Sequence, residues 1–268
     1  MKKTLMVLFV AMVVFSTVYA FAAEEKAFAA EEKIAAATEE EAKWTPTAEA
    51  SVAWHSAYIN EASGGMLYRK AVSTQSAMVG IDRDGVVGFY VQGENFIPFD
   101  DRENEETDFY VGFYAEIADM KFDVGYARYW VRESGELDFN AVYAAVDFPA
   151  AVWGIVPFVK MEYDFAKKTE EGENMNGFMY FAGVKREFSL HERVKILAEV
   201  GVGGNTGLYG MPVENLAYAR EKVEVSISIL EWLKLKGTAM TQQNLSHQEG
   251  IAEDTSRLFV STAIVATF

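Results

Sequence analysis

No cysteine occurs in the 268 residues, and histidine occurs only three times. The first absence removes disulfide scaffolds, thiolate metal sites and thiol nucleophiles together. The second scatters His55, His191 and His247 along the chain and leaves a transition-metal site unsupported. Basic residues are scarce beside acidic ones, 24 Lys and Arg against 40 Asp and Glu, for a formal net charge of −16. That balance excludes a nucleic-acid binder, which needs a basic surface, and offers no basic patch for docking on anionic lipid. The chain also lacks a G-x-S-x-G nucleophile turn and, after Thr45, any convincing amphipathic helix.

What is present begins with "MKKTLMVLFVAMVVFSTVYAFAA". Lys2 and Lys3 precede an apolar stretch from Leu5 to Val18 and then small residues, the layout of a secretory signal peptide. The stretch is shorter than the ~20 residues of a membrane anchor. Cleavage after Ala20 or Ala22 fits the small-x-small rule; Ala22 is preferred, which makes 1–22 the signal. Residues 23–43 follow as an Ala/Glu/Lys-rich tail, in which the second of two AFAAEEK copies (20–26 and 27–33) falls. Two heptads are too few to fold alone, so a solvated tail is expected, with the folded part spanning 44–268.

From there to the end, apolar residues recur with the period of two that marks strands. Phe109, Val111, Phe113, Ala115 and Ile117 alternate with Asp108, Tyr110, Gly112, Tyr114 and Glu116. Twelve such segments are read: 46–58, 69–81, 86–97, 107–118, 121–132, 137–147, 153–165, 177–188, 193–203, 216–228, 233–242 and 255–268. They are long for globular strands and suit the ~9–11 residues that cross a bilayer. Short connections ("DRDG", "DM", "PAAV", "SLHE", "ILEWL") follow the even strands, and longer or more polar ones follow the odd strands. That asymmetry is the layout of an outer-membrane β-barrel, with both termini on the short-turn side. The expected fold is therefore all-β: one antiparallel up-and-down transmembrane barrel of twelve strands. Trp44, Trp153 and Trp232 fall at the inferred periplasmic ends and Trp130 at an extracellular end, as interfacial girdles require. Trp54 sits nearer mid-strand.

Two places resist the pattern. Strict alternation in "KFDVGYARYWV" puts Arg128 on the lipid face, which calls for a bulge around Ala127 or a position near the interface. In "AVSTQSAMVGI" neither face is clearly the apolar one.

The closing "FVSTAIVATF", a terminal Phe preceded by alternating apolar residues, resembles the end of bacterial outer-membrane barrels of the porin type. The resemblance implies that Val260, Ile264, Ala266 and Phe268 form the signal read by the barrel assembly machinery. "SVAWHSAYI", "GFYVQGENF" and "TDFYVGFYAEIADMKFDVGYARYWV" also resemble the TorF family of porins. There an S-x-Y strand precedes a G-F-Y strand and an F-D-V-G-Y strand. Ser56-Ala57-Tyr58 stands in the first place, with Asn60-Glu61 where Arg-Gly often follows, and the likeness spans roughly 50–165.

Parity assigns the pore-lining candidates. Glu94, Asp108, Glu116 and Asp138 come from strands three, four and six; Lys160 and Glu162 from strand seven; Lys195 and Glu199 from strand nine. Arg220, Lys222 and Glu224 come from strand ten, Lys234 and Lys236 from strand eleven, and Arg257 from strand twelve. Bases cluster on strands nine to twelve and acids on three to six, so opposed walls would set a transverse field. Two readings stay open: paired charges fill the lumen, or they face water and tune a channel. The channel, passing small polar solutes or ions in the outer membrane, is preferred over a closed structural or adhesion barrel.

Other sites are weaker. "FDDRENEE" lacks the D-x-D-x-D-G order of a calcium loop and reads as a solvated acidic connection. His55 and Ser56 point to opposite faces, His191 falls in a turn, and Ser246-His247 lies in a connection without a nucleophile motif. Neither an enzyme nor a cofactor is expected.

Overall fold

Alternation becomes a wall of long strands in the computed structural model. It describes residues 43–59, 66–68, 71–99, 105–131, 138–166, 176–205, 217–245 and 256–268. The signal segment, the tail up to residue 42, most of the acidic connection and His247 lie outside the described residues. The barrel strands are β1 (Trp44–His55), β2 (Val72–Arg83), β3 (Val87–Pro98), β4 (Glu106–Ile117), β5 (Met120–Val131) and β6 (Phe139–Asp147). They continue as β7 (Val156–Ala166), β8 (Gly177–His191), β9 (Val194–Asn205), β10 (Ala217–Leu230), β11 (Leu233–Asn244) and β12 (Ser256–Thr267). Each pairs antiparallel with its sequence neighbours, and β12 pairs with β1 to close the barrel. Closure removes the sheet edge that an open sheet would leave unpaired.

The outward positions form an apolar surface. Phe89 and Val91 on β3, Phe109 and Val111 on β4, Val200 and Val202 on β9, and Leu258, Val260 and Ile264 on β12 are all exposed. A water-soluble protein rarely exposes so large a contiguous apolar area; strands of this length carrying such a belt suit a hydrocarbon layer. No helix among the described residues is long and apolar enough to cross a membrane.

Tight turns join the ends after β2, β4, β8 and β10, and a longer turn with a short 3-10 segment (Val152–Gly154) follows β6. Left-handed backbone makes the reversals after β2 and β4: Asp84 and Gly85 have φ 57° and 72°, and Ala118 and Asp119 have φ 52° and 63°. Such pairs match the right-handed twist of the strands they join.

The structure corrects three readings of the sequence and decides between two at Arg128. β1 ends at His55 rather than running to Tyr58; Tyr58–Ile59 turns away and pairs with Met66–Tyr68 in a small hairpin of its own. Trp54 thereby becomes the second-last residue of β1, outward and 44% exposed, and joins the girdle at the long-connection end. β2 starts at Val72, three residues later than expected, with Ala77, Val79 and Ile81 outward. No bulge occurs at Ala127, because β4 and β5 pair without a shift from Ile117↔Met120 to Glu106↔Val131. Arg128 does face outward, near the long-connection end. It is satisfied there by Asp138 Oδ2 (3.1 Å), Asn140 Oδ1 (3.0 Å) and the Trp130 ring. Near an interface an outward Arg costs only ~0–1 kcal/mol, against ~2–4 at the midplane.

Candidate functional site: the barrel lumen

Inward side chains come from alternate residues of every strand, so register places them. On β4, Asp108 lies opposite Glu94 of β3 and Tyr129 of β5. Asp108 is 2% exposed, and its Oδ2 accepts from Tyr110 Oη at 3.0 Å. Glu162 of β7 accepts from Tyr129 Oη at 3.0 Å, and Asp164, two residues on, is equally buried. Tyr129 stacks on Phe139 with ring centroids 4.2 Å apart. Acids and tyrosines of β3–β7 thus interleave toward the long-connection end.

The facing wall is cationic there. Arg220 of β10 is 2% exposed, with its guanidinium 5.0 Å from the Phe181 ring and 4.9 Å from the Tyr218 ring. Its Nη2 donates to Gln242 Oε1 at 3.1 Å. Phe181 and Tyr218 stack 5.9 Å apart, and Phe158 joins them in a buried cluster. Desolvated cation–π contacts of this kind contribute roughly 2 kcal/mol each. Inward side chains are therefore packed toward the long-connection end.

A second set of tyrosines lies flat on the wall. Tyr90 (β3) and Tyr143 (β6) reach toward each other across Gly112 (β4) and Gly125 (β5), and their hydroxyls meet at 2.7 Å. A Cβ on Gly112 would land on the Tyr90 ring, and one on Gly125 on the Tyr143 hydroxyl. Tyr90 also donates to Asp123 Oδ1 at 2.9 Å, and Tyr114 donates to Asp82.

Toward the tight-turn end charges pair in positions that keep solvent exposure. Lys121 faces Glu116 at 3.6 Å, Lys195 faces Glu187 at 2.9 Å, Lys236 faces Glu224 at 3.5 Å and Lys185 faces Asp147 at 2.6 Å. A recess of about 340 Å³ lies here, lined by Tyr114, Asp123 and Lys160 among others.

The candidates whose side chains are described take inward parity with one exception. Asp138 pairs with the outward Arg128 instead, because it stands just ahead of β6 on the outer parity. Glu199 sits in register between Lys185 of β8 and Lys222 of β10. Lys234 holds an inward position beside Ser228 and Val265, and Arg257 the position opposite Gln242. The walls are less pure than the sequence suggests: Glu199 and Glu224 sit among the bases, and Lys160 and Lys185 stand nearer the acids. Asp82, Lys121, Asp123, Asp147 and Lys185 escaped the sequence reading, although alternation within their strands would have found them.

Phe268 closes the seam. It exchanges backbone hydrogen bonds with Ala48 (2.8 and 3.1 Å) and stacks on Trp232 at 6.3 Å. Val260 and Ile264 face outward, as does Ala266 by alternation. His55 faces the lumen, with Nε2 3.1 Å from Thr74 Oγ1, while Ser56 Oγ accepts from the Val260 amide at 3.1 Å. His191 Nδ1 accepts from the Arg193 amide in its turn. Among the described residues no three His, Asp or Glu are placed to hold a metal ion.

No protein-family model matches the chain, and no curated protein does. Solved structures do share its fold. The NanC porin aligns with a TM-score of 0.51 at 8% identity, over 82% of this chain and 98% of that one. An outer-membrane channel from Pseudomonas putida F1 aligns with a TM-score of 0.51 at 9% identity, over 83% and 95%. The KdgM porin, solved in complex with disordered oligogalacturonate, aligns with a TM-score of 0.50 at 7% identity, over 83% and 99%. At such identities the likeness establishes the closed antiparallel barrel of twelve strands and nothing finer.

Proposed function

We propose that the chain is a porin-like channel of the Gram-negative outer membrane, through which small polar solutes or ions diffuse passively. The observation that carries this reading is the closed barrel, apolar outside and charged inside, with a recess toward the tight-turn end. The tight turns then face the periplasm and the long connections the exterior. Residues 1–22 direct export and are removed, and 23–43 form a periplasmic tail ahead of the barrel at 44–268. The TorF-like pattern of 50–165 supports the same class. Val260, Ile264, Ala266 and Phe268 serve the barrel assembly machinery. Lipid, that machinery and the solute are the partners.

The remaining charge asymmetry supports a transverse field, with Arg220 and Lys222 on one wall and Glu94, Asp108 and Glu162 on the other. Reversing Lys222 and Lys236 to Glu removes two positive charges and adds two negative ones. In planar bilayers under a KCl gradient the double variant is expected to shift severalfold toward cations; unchanged selectivity sinks the field. The packed layer around Phe158, Phe181, Tyr218 and Arg220 favours a second reading, a closed structural barrel. Liposomes carrying the refolded protein separate the two. They swell in a permeant pentose if the barrel conducts solute and stay tight if it is closed.

A further inference from the structure

Toward the long-connection end, three acids of the lumen wall are buried with no base to answer them. Asp108 and Asp164 are each 2% exposed, and Glu162 is 9% exposed. Among the described residues no lysine or arginine forms an ion pair with any of the three. On β7, register explains why. Asp164 has Ala141 of β6 and Gly177 of β8 beside it, and Glu162 has Tyr143 and Met179. The base nearest along the strand, Lys160, sets its ammonium against the Phe158 ring instead. Tyrosines supply part of what is missing: Tyr110 Oη donates to Asp108 Oδ2 and Tyr129 Oη to Glu162 Oε1, both at 3.0 Å. The Oδ1 atoms of Asp108 and Asp164 remain buried without a hydrogen-bond partner.

A buried carboxylate without a partner is costly, and the pair on β7 sharpens the problem. Asp164 is hydrogen-bonded to Glu162, two residues back on the same face. Ionised carboxylates only accept, so this contact needs something positive between the two groups. A shared proton joins one oxygen of each and still leaves Asp164 Oδ1 unanswered. We propose that Glu162 and Asp164 hold a divalent cation of the hard, oxygen-seeking kind that calcium typifies. Two carboxylates carry the two charges that balance it, and such ions take carboxylate oxygen. No third acid is placed to join them; Asp108 stands apart on β4, opposite Tyr129. Water from the lumen completes the shell, as it does where one or two carboxylates hold a hard cation. Tyr129, stacked on Phe139 at 4.2 Å, steadies Glu162 and walls the site. Asp164 stands two residues before the end of β7, which puts the ion near the long-connection mouth. The site belongs to the wall of the barrel and rests on neither the channel nor the closed reading.

The test titrates the refolded full chain, freed of divalent ions and held in detergent micelles with excess KCl, with calcium chloride, followed by calorimetry. Asp164→Asn keeps the shape of the side chain and removes its charge. It is expected to weaken calcium binding about tenfold or more, the scale of one charge-assisted contact. Asp84→Asn, at an exposed turn, is expected to leave binding unchanged. Terbium, which also takes oxygen ligands, locates the ion without touching the acids. Tyr129, its hydroxyl 3.0 Å from Glu162, passes ultraviolet excitation to an ion held there. Tyr129→Phe is expected to lower terbium emission severalfold while as much terbium stays bound. Calcium that binds equally to the parent and Asp164→Asn barrels sits elsewhere and overturns the proposal. Terbium emission untouched by Tyr129→Phe does the same. A parent barrel that takes up no calcium overturns it in favour of a shared proton.

Discussion

Tyr90 and Tyr143 meet only because the two residues between them in register, Gly112 and Gly125, carry no side chain. The rings lie along the wall rather than across the lumen, and Asp123 takes the Tyr90 proton as a hydrogen bond. Gly112→Val places branched carbon where the Tyr90 ring now rests. It is expected to cost about 1–3 kcal/mol by overpacking, read as a lower urea midpoint of the refolded barrel in micelles. Adding Tyr90→Ala is expected to recover part of the loss, since removing the ring removes the clash; equal loss in both backgrounds contradicts the arrangement. At this scale parity told which way most charged residues face, because a strand turns alternate side chains to opposite sides. It misplaced Asp138, which stands one residue before β6, and it said nothing of which tyrosine would cover which glycine. That depends on register between strands, which no single strand encodes.

Strands and turns were legible to within a few residues wherever apolar alternation met a polar break. The first connection was not, because "SVAWHSAYIN" continues the alternation past His55 while the backbone bends at Ser56 and Ala57. The "DG" of Asp84-Gly85 announces its turn by composition. Ala118-Asp119 does not, since Ala118 adopts φ 52° despite its Cβ. Ala118→Gly relieves that strain and is expected to stabilise the barrel by about 0.5–1 kcal/mol, after the extra chain entropy glycine brings to the unfolded state. A lower unfolding midpoint would contradict the turn geometry. At the other end of the wall, β12 holds its partners through Phe268, which bonds Ala48 and stacks on Trp232. Deleting Phe268 is expected to cut the yield of membrane-inserted, heat-modifiable barrel severalfold. Normal yield would show that neither the seam nor the assembly signal needs it.

The whole molecule turns an acidic, cysteine-free chain into a wall with an apolar outer face and a charged inner one. That much was legible, because lipid and lumen impose opposite demands on alternate residues. The uneven filling of the lumen was not: Phe181, Tyr218 and Arg220 pack toward the long connections, while a recess of about 340 Å³ lies toward the tight turns. Packing of that kind depends on register between strands rather than on alternation within one, and its mixed chemistry resembles a core in one half and a vestibule in the other. Whether the packed half transmits solute is the central claim. Its most direct measurement is the current across a planar bilayer after adding the refolded full chain in 1 M KCl. The channel reading predicts discrete, uniform conductance steps as single barrels insert. A bilayer that stays silent while the same preparation is shown to be inserted and heat-modifiable would contradict it and leave a closed barrel.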